Sequence, residues 1–249
     1  MDINDQIKAM MPDLINGKTH EQLQEEQVAD DKKMGSHYVD GIKLPWMVPA
    51  SNIEAVKTFE VRDDDVFINS FPRSGTHWTA EIVNYIVHAG RDDFDRTFMK
   101  NALEFSMTFD PSKLESTTPG YKIFAGLKSP RCMLTHCPEV LWPHQLWKKQ
   151  AKLVYVARNP KDVLVSIIKL SGTDRATTAN PFQSNFEELL WKFYFGEAFY
   201  GSWFDHVLGA WNRKDHPSVL FVKYEDLQKD LRRSVCKIAK HLGKDLSDD

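Results

Sequence analysis

Phe71-Pro72-Arg73-Ser74-Gly75-Thr76-His77-Trp78 follows the apolar run Val66-Phe67-Ile68-Asn69 and precedes residues at helical spacing. The order is strand, tight Ser-Gly turn, helix. Such a turn aims several backbone N–H groups, and the positive end of a helix dipole, at one point. Arg73, Ser74, Thr76 and His77 surround that point with side-chain donors. A nest of this composition takes an anion, a phosphate or a sulfate, so the stretch marks a site for a charged cofactor. The ordinary nucleotide loop, G-x-x-x-x-G-K-[ST], is not what is written: its first glycine is absent, and no Lys stands between Gly75 and Thr76.

Outward from this stretch, strands and helices alternate. Residues 66–70 read as a short strand. Residues 78–88 read as a helix, with Trp78, Ile82, Tyr85 and Ile86 at apolar spacing. A second strand is expected over 132–134, ending at Thr135-His136. Leu153-Val154-Tyr155-Val156-Ala157 is a continuous apolar run, as a central parallel strand covered on both faces requires. It passes through Arg158-Asn159-Pro160 into a helix over 161–170, with Pro160 near the helix start. Residues 186–211 form an aromatic-rich helical region broken near Gly201. Residues 219–222 are a further strand, followed by a helix over 227–242. Tyr38 to Pro45 reads as a short hairpin closed by Asp40-Gly41. Residues 1–35 are polar and read as a solvated lead-in, helical in part through 21–27. The sum is an α/β fold, a P-loop-like parallel β-sheet flanked by helices, with one domain over 36–249. Ligands of such sheets bind outside the carboxyl ends of the strands, where the Arg73 loop, His136, Arg158 and Tyr224 all fall.

The 249 residues suffice for one domain with a well-buried core, and 42% hydrophobic with 27% charged content is ordinary for a globular chain. A net charge of −3 offers no general attraction to nucleic acid or to an acidic membrane. No apolar run has membrane-spanning length, and the polar N-terminus argues against a presequence. Cys132, Cys137 and Cys236 are odd in number and lack metal-ligand spacing, so reduced thiols and a cytoplasmic location are expected. No carboxylate pair or His/Cys cluster suggests a metal.

Three further stretches agree with the first. Val154-Tyr155-Val156-Ala157-Arg158-Asn159-Pro160-Lys161-Asp162-Val163-Leu164-Val165-Ser166 places a guanidinium at a strand end and a hydroxyl two helical turns on, which suits a terminal phosphate. A structural ion pair between Arg158 and Asp162 is the alternative. Lys128 to Pro138 carries Thr135-His136 at a strand end, and Phe221-Val222-Lys223-Tyr224-Glu225-Asp226-Leu227 runs from strand to helix. Together with Phe195 to Val207, with its Gly201-Ser202-Trp203 and His206-Val207, these stretches resemble the cytosolic sulfotransferases in the family's order, over residues from about 38 to 249. That family's loop reads Y/F-P-K-S-G-T-T-W, with Arg73 here in the cationic place and His77 in the second Thr place.

The resemblance implies 3′-phosphoadenosine 5′-phosphosulfate (PAPS) as cofactor and 3′-phosphoadenosine 5′-phosphate (PAP) as product. It implies His136 as catalytic base and Arg73 as a catalytic cation. Ser74, Gly75, Thr76, His77 and Trp78 would bind the cofactor with Arg73, and Arg158 and Ser166 would hold its 3′-phosphate. Tyr224 would contact the adenine, against which Trp78 packs; Trp78 as the first core residue of its helix is the bland alternative. His206 reads as structural. Phe71, Phe105 and Trp142, with Met107, Phe109, Met133 and Trp147, are candidates for an apolar acceptor pocket, or else plain core. A phenol or lipophilic alcohol is the expected acceptor. Leu134 occupies the place of a family Lys, so one cationic contact is missing. The family's further C-terminal helical segment, with its R-K-G loop over the 3′-phosphate and its dimerisation motif, is not matched. A catalytically weakened 3′-phosphoadenosine nucleotide-binding protein is therefore the rival reading. A P-loop kinase or nucleotide hydrolase is the weaker rival, lacking G-K-[ST] and an evident Mg²⁺-holding Asp.

Overall fold

The computed structural model is described here over residues 17–89, 96, 101–108, 110–173 and 186–246. Four strands, β3 (Val66–Asn69), β4 (Cys132–Thr135), β5 (Lys152–Ala157) and β6 (Val219–Lys223), form one parallel sheet in the order β4-β3-β5-β6. β3 and β4 are buried throughout and β5 from its second residue on, which is why they read as unbroken apolar runs rather than alternating ones. The hairpin is present as β1 (His37–Val39) and β2 (Ile42–Leu44). Its two turn residues, Asp40 and Gly41, have φ of 50° and 77°, the paired left-handed conformation that a two-residue hairpin turn demands.

The helices that cover the sheet are α3 (Thr76–Val87), α5 (Pro160–Thr173), α6 (Phe186–Phe195), α7 (Trp203–Trp211), α8 (Tyr224–Lys229) and α9 (Leu231–His241). α3 packs on β3 and β4 and meets α9, which lies on β6. Tyr155 and Phe221, opposite one another in β5 and β6, stack and meet His206 and Trp211 of α7. The helical region expected over 186–211 is thus two helices, α6 and α7. They are separated by Gly196, Tyr200 and Gly201, all with φ between 70° and 79°. The helix expected over 227–242 is likewise two. Asp230 ends α8 and caps α9, its side chain accepting the Arg233 N–H at 2.9 Å.

Among the described residues, three further α-helices besides α3 precede β4. α1 (His20–Met34) begins at a capping box: the Gln22 N–H donates to Thr19 Oγ1, and the Thr19 N–H to Gln22 Oε1. α2 (Ala50–Lys57) and α4 (Gly120–Ala125), which pack on each other, have no counterpart in the sequence-based expectation. α1 corrects the expectation of a solvated lead-in. Its Leu23 is buried with Trp191 of α6, and its Asp31 pairs with buried Lys43 of β2 at 2.5 Å. The polar composition of residues 17–35 hid this docking, because one leucine, one carboxylate and His20, whose Nδ1 accepts from the Trp191 indole at 3.1 Å, carry it.

Below the sheet, at the amino ends of β3 and β4, Arg131 and Asp65 form a fully buried pair. Arg131 Nε donates to Asp65 Oδ1 at 2.7 Å and Nη2 to Oδ2 at 2.5 Å, while the guanidinium lies 4.9 Å from the Phe59 ring centroid. Asp65→Asn leaves the guanidinium short of its counter-charge. It should lower the unfolding free energy by about 3 kcal/mol. Glu26→Gln, at the exposed Lys18 pair, should change it by less than about 1 kcal/mol. Urea denaturation of both variants checks the contrast.

Candidate active site

The register of the sheet sets the site. Asn69 pairs with Thr135 and with Tyr155, and Ala157 pairs with Lys223. The carboxyl ends of the four strands therefore open on one side, onto the Arg73 loop, His136, Arg158 and Tyr224 respectively. β3 and β5 are neighbours whose onward connections run to opposite edges, to β4 and to β6. A crevice at this switch point is where such sheets bind ligands.

The Arg73 loop is strained in a useful way. Arg73 has φ of 69° and Gly75 of 96°, and Gly75 caps α3 without any side-chain acceptor. The first N–H groups of a helix so capped point outward with the positive end of its dipole. Ser70 and Thr76 hydroxyls meet at 2.5 Å and tie the two ends of the loop together. Ser74 Oγ and Arg158 Nε are buried, and neither has a hydrogen-bond partner among the described residues. Arg73 Nε donates to Ser166 Oγ at 3.1 Å, and Arg158 Nη1 donates to the Arg73 carbonyl at 3.0 Å. The Arg158 guanidinium also lies 4.5 Å from the Tyr224 ring centroid. The alternative of an Arg158–Asp162 pair does not form among the described residues; Arg158 belongs to the loop cluster. Trp78 is partly exposed and sits edge-on to Tyr224 at 5.7 Å. The Tyr224 ring covers Gly75 so closely that a Cβ there would lie 2.5 Å from Tyr224 Cδ2.

His136 lies beside this cluster. Its Nδ1 is 2.9 Å from the Ser70 carbonyl. A carbonyl only accepts, so Nδ1 carries the proton and Nε2 the lone pair. Burial, reinforced by the positive Arg73, pushes the imidazole down to about 4 against the partial support of the Ser70 carbonyl. His136 is therefore neutral at physiological pH. His77 is also pushed down, first by burial and then by His136 and Arg73.

The donors fit a phosphorylated and sulfated nucleotide. A helix N-terminus without a side-chain cap, two guanidinium groups and an orphaned buried hydroxyl surround one crevice, with two aromatic rings at its edge. The sequence profile described as Sulfotransferase domain matches residues 63–249. The chain belongs to the sulfotransferase family. Among its relatives, the rat protein Sulfotransferase 1 family member D1 is 34% identical over 85% of this chain and 69% of its own length. The rabbit Amine sulfotransferase is 36% identical over 82% and 64%. The chain thus spans about two thirds of the length of these relatives. The crystal structure of mouse sulfotransferase SULT7A1 complexed with PAP superposes with a TM-score of 0.68 at 31% identity, covering 86% of this chain and 70% of that one. Retinol dehydratase in complex with androsterone and PAP superposes with a TM-score of 0.71 at 28% identity, over 89% and 74%. The reaction of this family is PAPS-dependent sulfuryl transfer to small acceptors.

Within this sulfotransferase, the expected acceptor-side residues divide. Phe105 lies close to His136, the two ring centroids 6.2 Å apart. Phe71 and Trp142 do not form an open face. Phe71 is buried edge-on against Phe193 and His206. Trp142 is buried against Trp147, with its indole N–H donating to the Cys137 carbonyl at 2.8 Å. Both are core, since each ring is already enclosed by protein. Met133 is core too, and Phe109 lies outside the described residues. Leu134 is buried in β4. Sequence reasoning missed Glu104 and Tyr200, which meet beneath His136 at 3.2 Å. The only signal was a Glu inside the apolar run Ala102-Leu103-Glu104-Phe105. His206 is structural as expected, its Nε2 donating to the His136 carbonyl at 2.9 Å.

Two outcomes follow from this geometry. Gly75→Ala forces a Cβ into Tyr224 at a φ that L residues avoid, so PAP affinity should fall more than about 10-fold, by calorimetric titration. For stability against pH, burial holds His136, His206 and His241 at about 4, against an ordinary 6.5. The unfolded chain binds more protons in that interval. Stability should be full above about pH 6.5 and fall progressively as pH drops toward 4. Urea midpoints measured across that range check the sign.

Proposed function

We propose that this protein moves the sulfuryl group of PAPS to the hydroxyl, or amine, of a small lipophilic acceptor, with His136 as general base. The observation that carries the proposal is the pinned tautomer of His136. With Nδ1–H committed to the Ser70 carbonyl, the free Nε2 lone pair is the only part of the ring left to accept a proton. When bound, PAPS supplies a sulfuryl group on a phosphate leaving group.

The chain's residues act around that group. His136 Nε2 would take the proton of the acceptor as the acceptor attacks the sulfuryl group that PAPS supplies, and the leaving phosphate would carry away the bonding pair and with it negative charge. Arg73, the N-terminal amides of α3 and the Ser74, Thr76 and His77 side chains are the donors for it. Arg158 and Ser166 are proposed to hold the 3′-phosphate, with Trp78 and Tyr224 at the adenine. The neutral state of His136 leaves it ready to accept the proton. The added negative charge of a bound nucleotide would raise its basicity, since a nearby opposite charge favours the protonated ring.

The acceptor is proposed to be a phenol or lipophilic alcohol. Support comes from Phe105 and Tyr200, whose rings lie 6.2 and 5.7 Å from that of His136, and from the likeness to a protein complexed with androsterone. The likeness to an amine sulfotransferase keeps an amine acceptor in the screen. We propose a cytosolic setting on the three cysteines, all unpaired, with burial pushing Cys132 up to about 12. No helix among the described residues is long and apolar enough to cross a membrane.

Leu134 favours a second reading, a 3′-phosphoadenosine nucleotide-binding protein with weakened turnover, because a buried leucine stands where the family carries a lysine. A turnover assay in EDTA, with PAPS and a panel of phenols, alcohols and amines, separates the two. The leading reading expects sulfated product without metal, reduced about 10²–10⁴-fold by His136→Ala, with PAP binding retained. PAP binding with no product from any acceptor would leave the second reading in possession.

A further inference from the structure

We propose that Glu104 is the positioning residue for His136, an inference that rests on the sulfuryl-transfer reading above. The Glu104 carboxylate is wholly buried and meets three donors. Oε1 accepts the His136 backbone N–H at 2.9 Å and the Tyr200 hydroxyl at 3.2 Å, and Oε2 accepts the Thr135 hydroxyl at 2.8 Å. Thr135 Oγ1 in turn accepts the Cys137 N–H at 3.1 Å. One carboxylate thereby fixes three successive residues at the point where β4 ends.

The opposite side of the same peptide is held as firmly. The His136 carbonyl accepts from His206 Nε2 at 2.9 Å. The Cys137 carbonyl accepts from Asn69 Nδ2 and Trp142 Nε1, both at 2.8 Å. His206 is itself set by the Tyr155 hydroxyl, 2.7 Å from its Nδ1. Glu104 has its own anchor, its carbonyl accepting from Asn52 Nδ2 at 3.0 Å. With the backbone of His136 clamped from both sides, one hydrogen bond to Ser70 suffices to set the ring.

Packing alone does not require a carboxylate here. A buried carboxylate is unfavourable unless donors meet its oxygens, and those donors belong to His136, its neighbour Thr135 and the residue against its ring. Tyr200 adds a second sign of functional constraint. It is not glycine, yet it holds φ of 70°, with its ring edge-on to His136 at 5.7 Å. Burial pushes Glu104 upward, and the His136, Thr135 and Tyr200 donors, with its own backbone N–H, oppose that shift. The other titratable or charged groups around the base are Arg73 and His77 on the loop side and Cys137, Tyr200 and His206 on the core side.

Glu104→Gln keeps the shape but turns a donor toward a donor, because an amide cannot accept at both positions. The test combines imidazole ¹⁵N NMR of the full chain with steady-state kinetics. In the unsubstituted protein His136 should show one Nδ1–H tautomer. In Glu104→Gln the tautomers should mix or the titration midpoint move. Turnover should fall about 10²-fold, the cost of a misplaced catalytic group, with KM for PAPS within about threefold. Tyr200→Phe and Thr135→Val each remove one donor without stranding a charge. They should give the same signature at lower amplitude, so the test survives if Glu104→Gln does not fold. Folded variants with an unmoved His136 tautomer and titration, and turnover within twofold, would overturn the proposal even if their stability fell. Turnover that persists in His136→Ala would instead sink the reading of His136 as base, while the tautomer measurement would still decide what Glu104 holds.

Discussion

The in-register parallel pairing of β3, β4, β5 and β6 is the constraint on which everything else depends. Because Asn69 stands level with Thr135 and Tyr155, and Ala157 level with Lys223, β3 and β4 end together, β5 and β6 end together two residues further on, and all four chain segments leave on the same side of the sheet. Each carries one part of a single chemical device. β3 delivers the anion nest, β4 the proposed base, β5 a guanidinium and β6 an aromatic ring. A one-residue slip of any strand would turn its side chains to the other face and its terminal residue out of reach of the others.

The electrostatics of the crevice follow from that convergence. Two arginines, a helix N-terminus and two histidines share a small space, and burial together with the Arg73 charge pushes both histidines down. Positive charge thus stays with the guanidinium groups, while His136, the proposed base, is left neutral. Arg73 joins the two halves of the crevice: its side chain reaches Ser166 while its carbonyl accepts from Arg158. Its left-handed backbone, like that of Gly75 beneath Tyr224, is tolerated because the Ser70–Thr76 bond closes the loop around it.

Much of this was legible in the sequence because it rests on local chemistry. Apolar runs announced β3 and β5, Asp40-Gly41 announced the hairpin, and the Ser-Gly turn announced the nest. What was not legible depends on contacts across long stretches of chain. α1 looked like a polar lead-in because Leu23 finds Trp191, and Asp31 finds Lys43, only in the folded molecule. Phe71 and Trp142 looked like pocket residues because composition cannot tell an aromatic wall from an aromatic core. Glu104 gave almost no signal, since a lone acid in an apolar run acquires meaning only from the donors of Thr135, His136 and Tyr200 that fold onto it.

The carboxyl end of this sheet, with two guanidinium groups and the α3 N-terminus, suits a nucleotide phosphorylated at both the 3′ and 5′ positions. Isothermal titration of the protein with PAP and with ADP, each in EDTA and again with Mg²⁺, tests this most directly. PAP should bind at least about 10-fold more tightly than ADP, a difference of about 1.4 kcal/mol, with no dependence on Mg²⁺. Equal affinity for the two nucleotides, or binding that appears only with Mg²⁺, would contradict it.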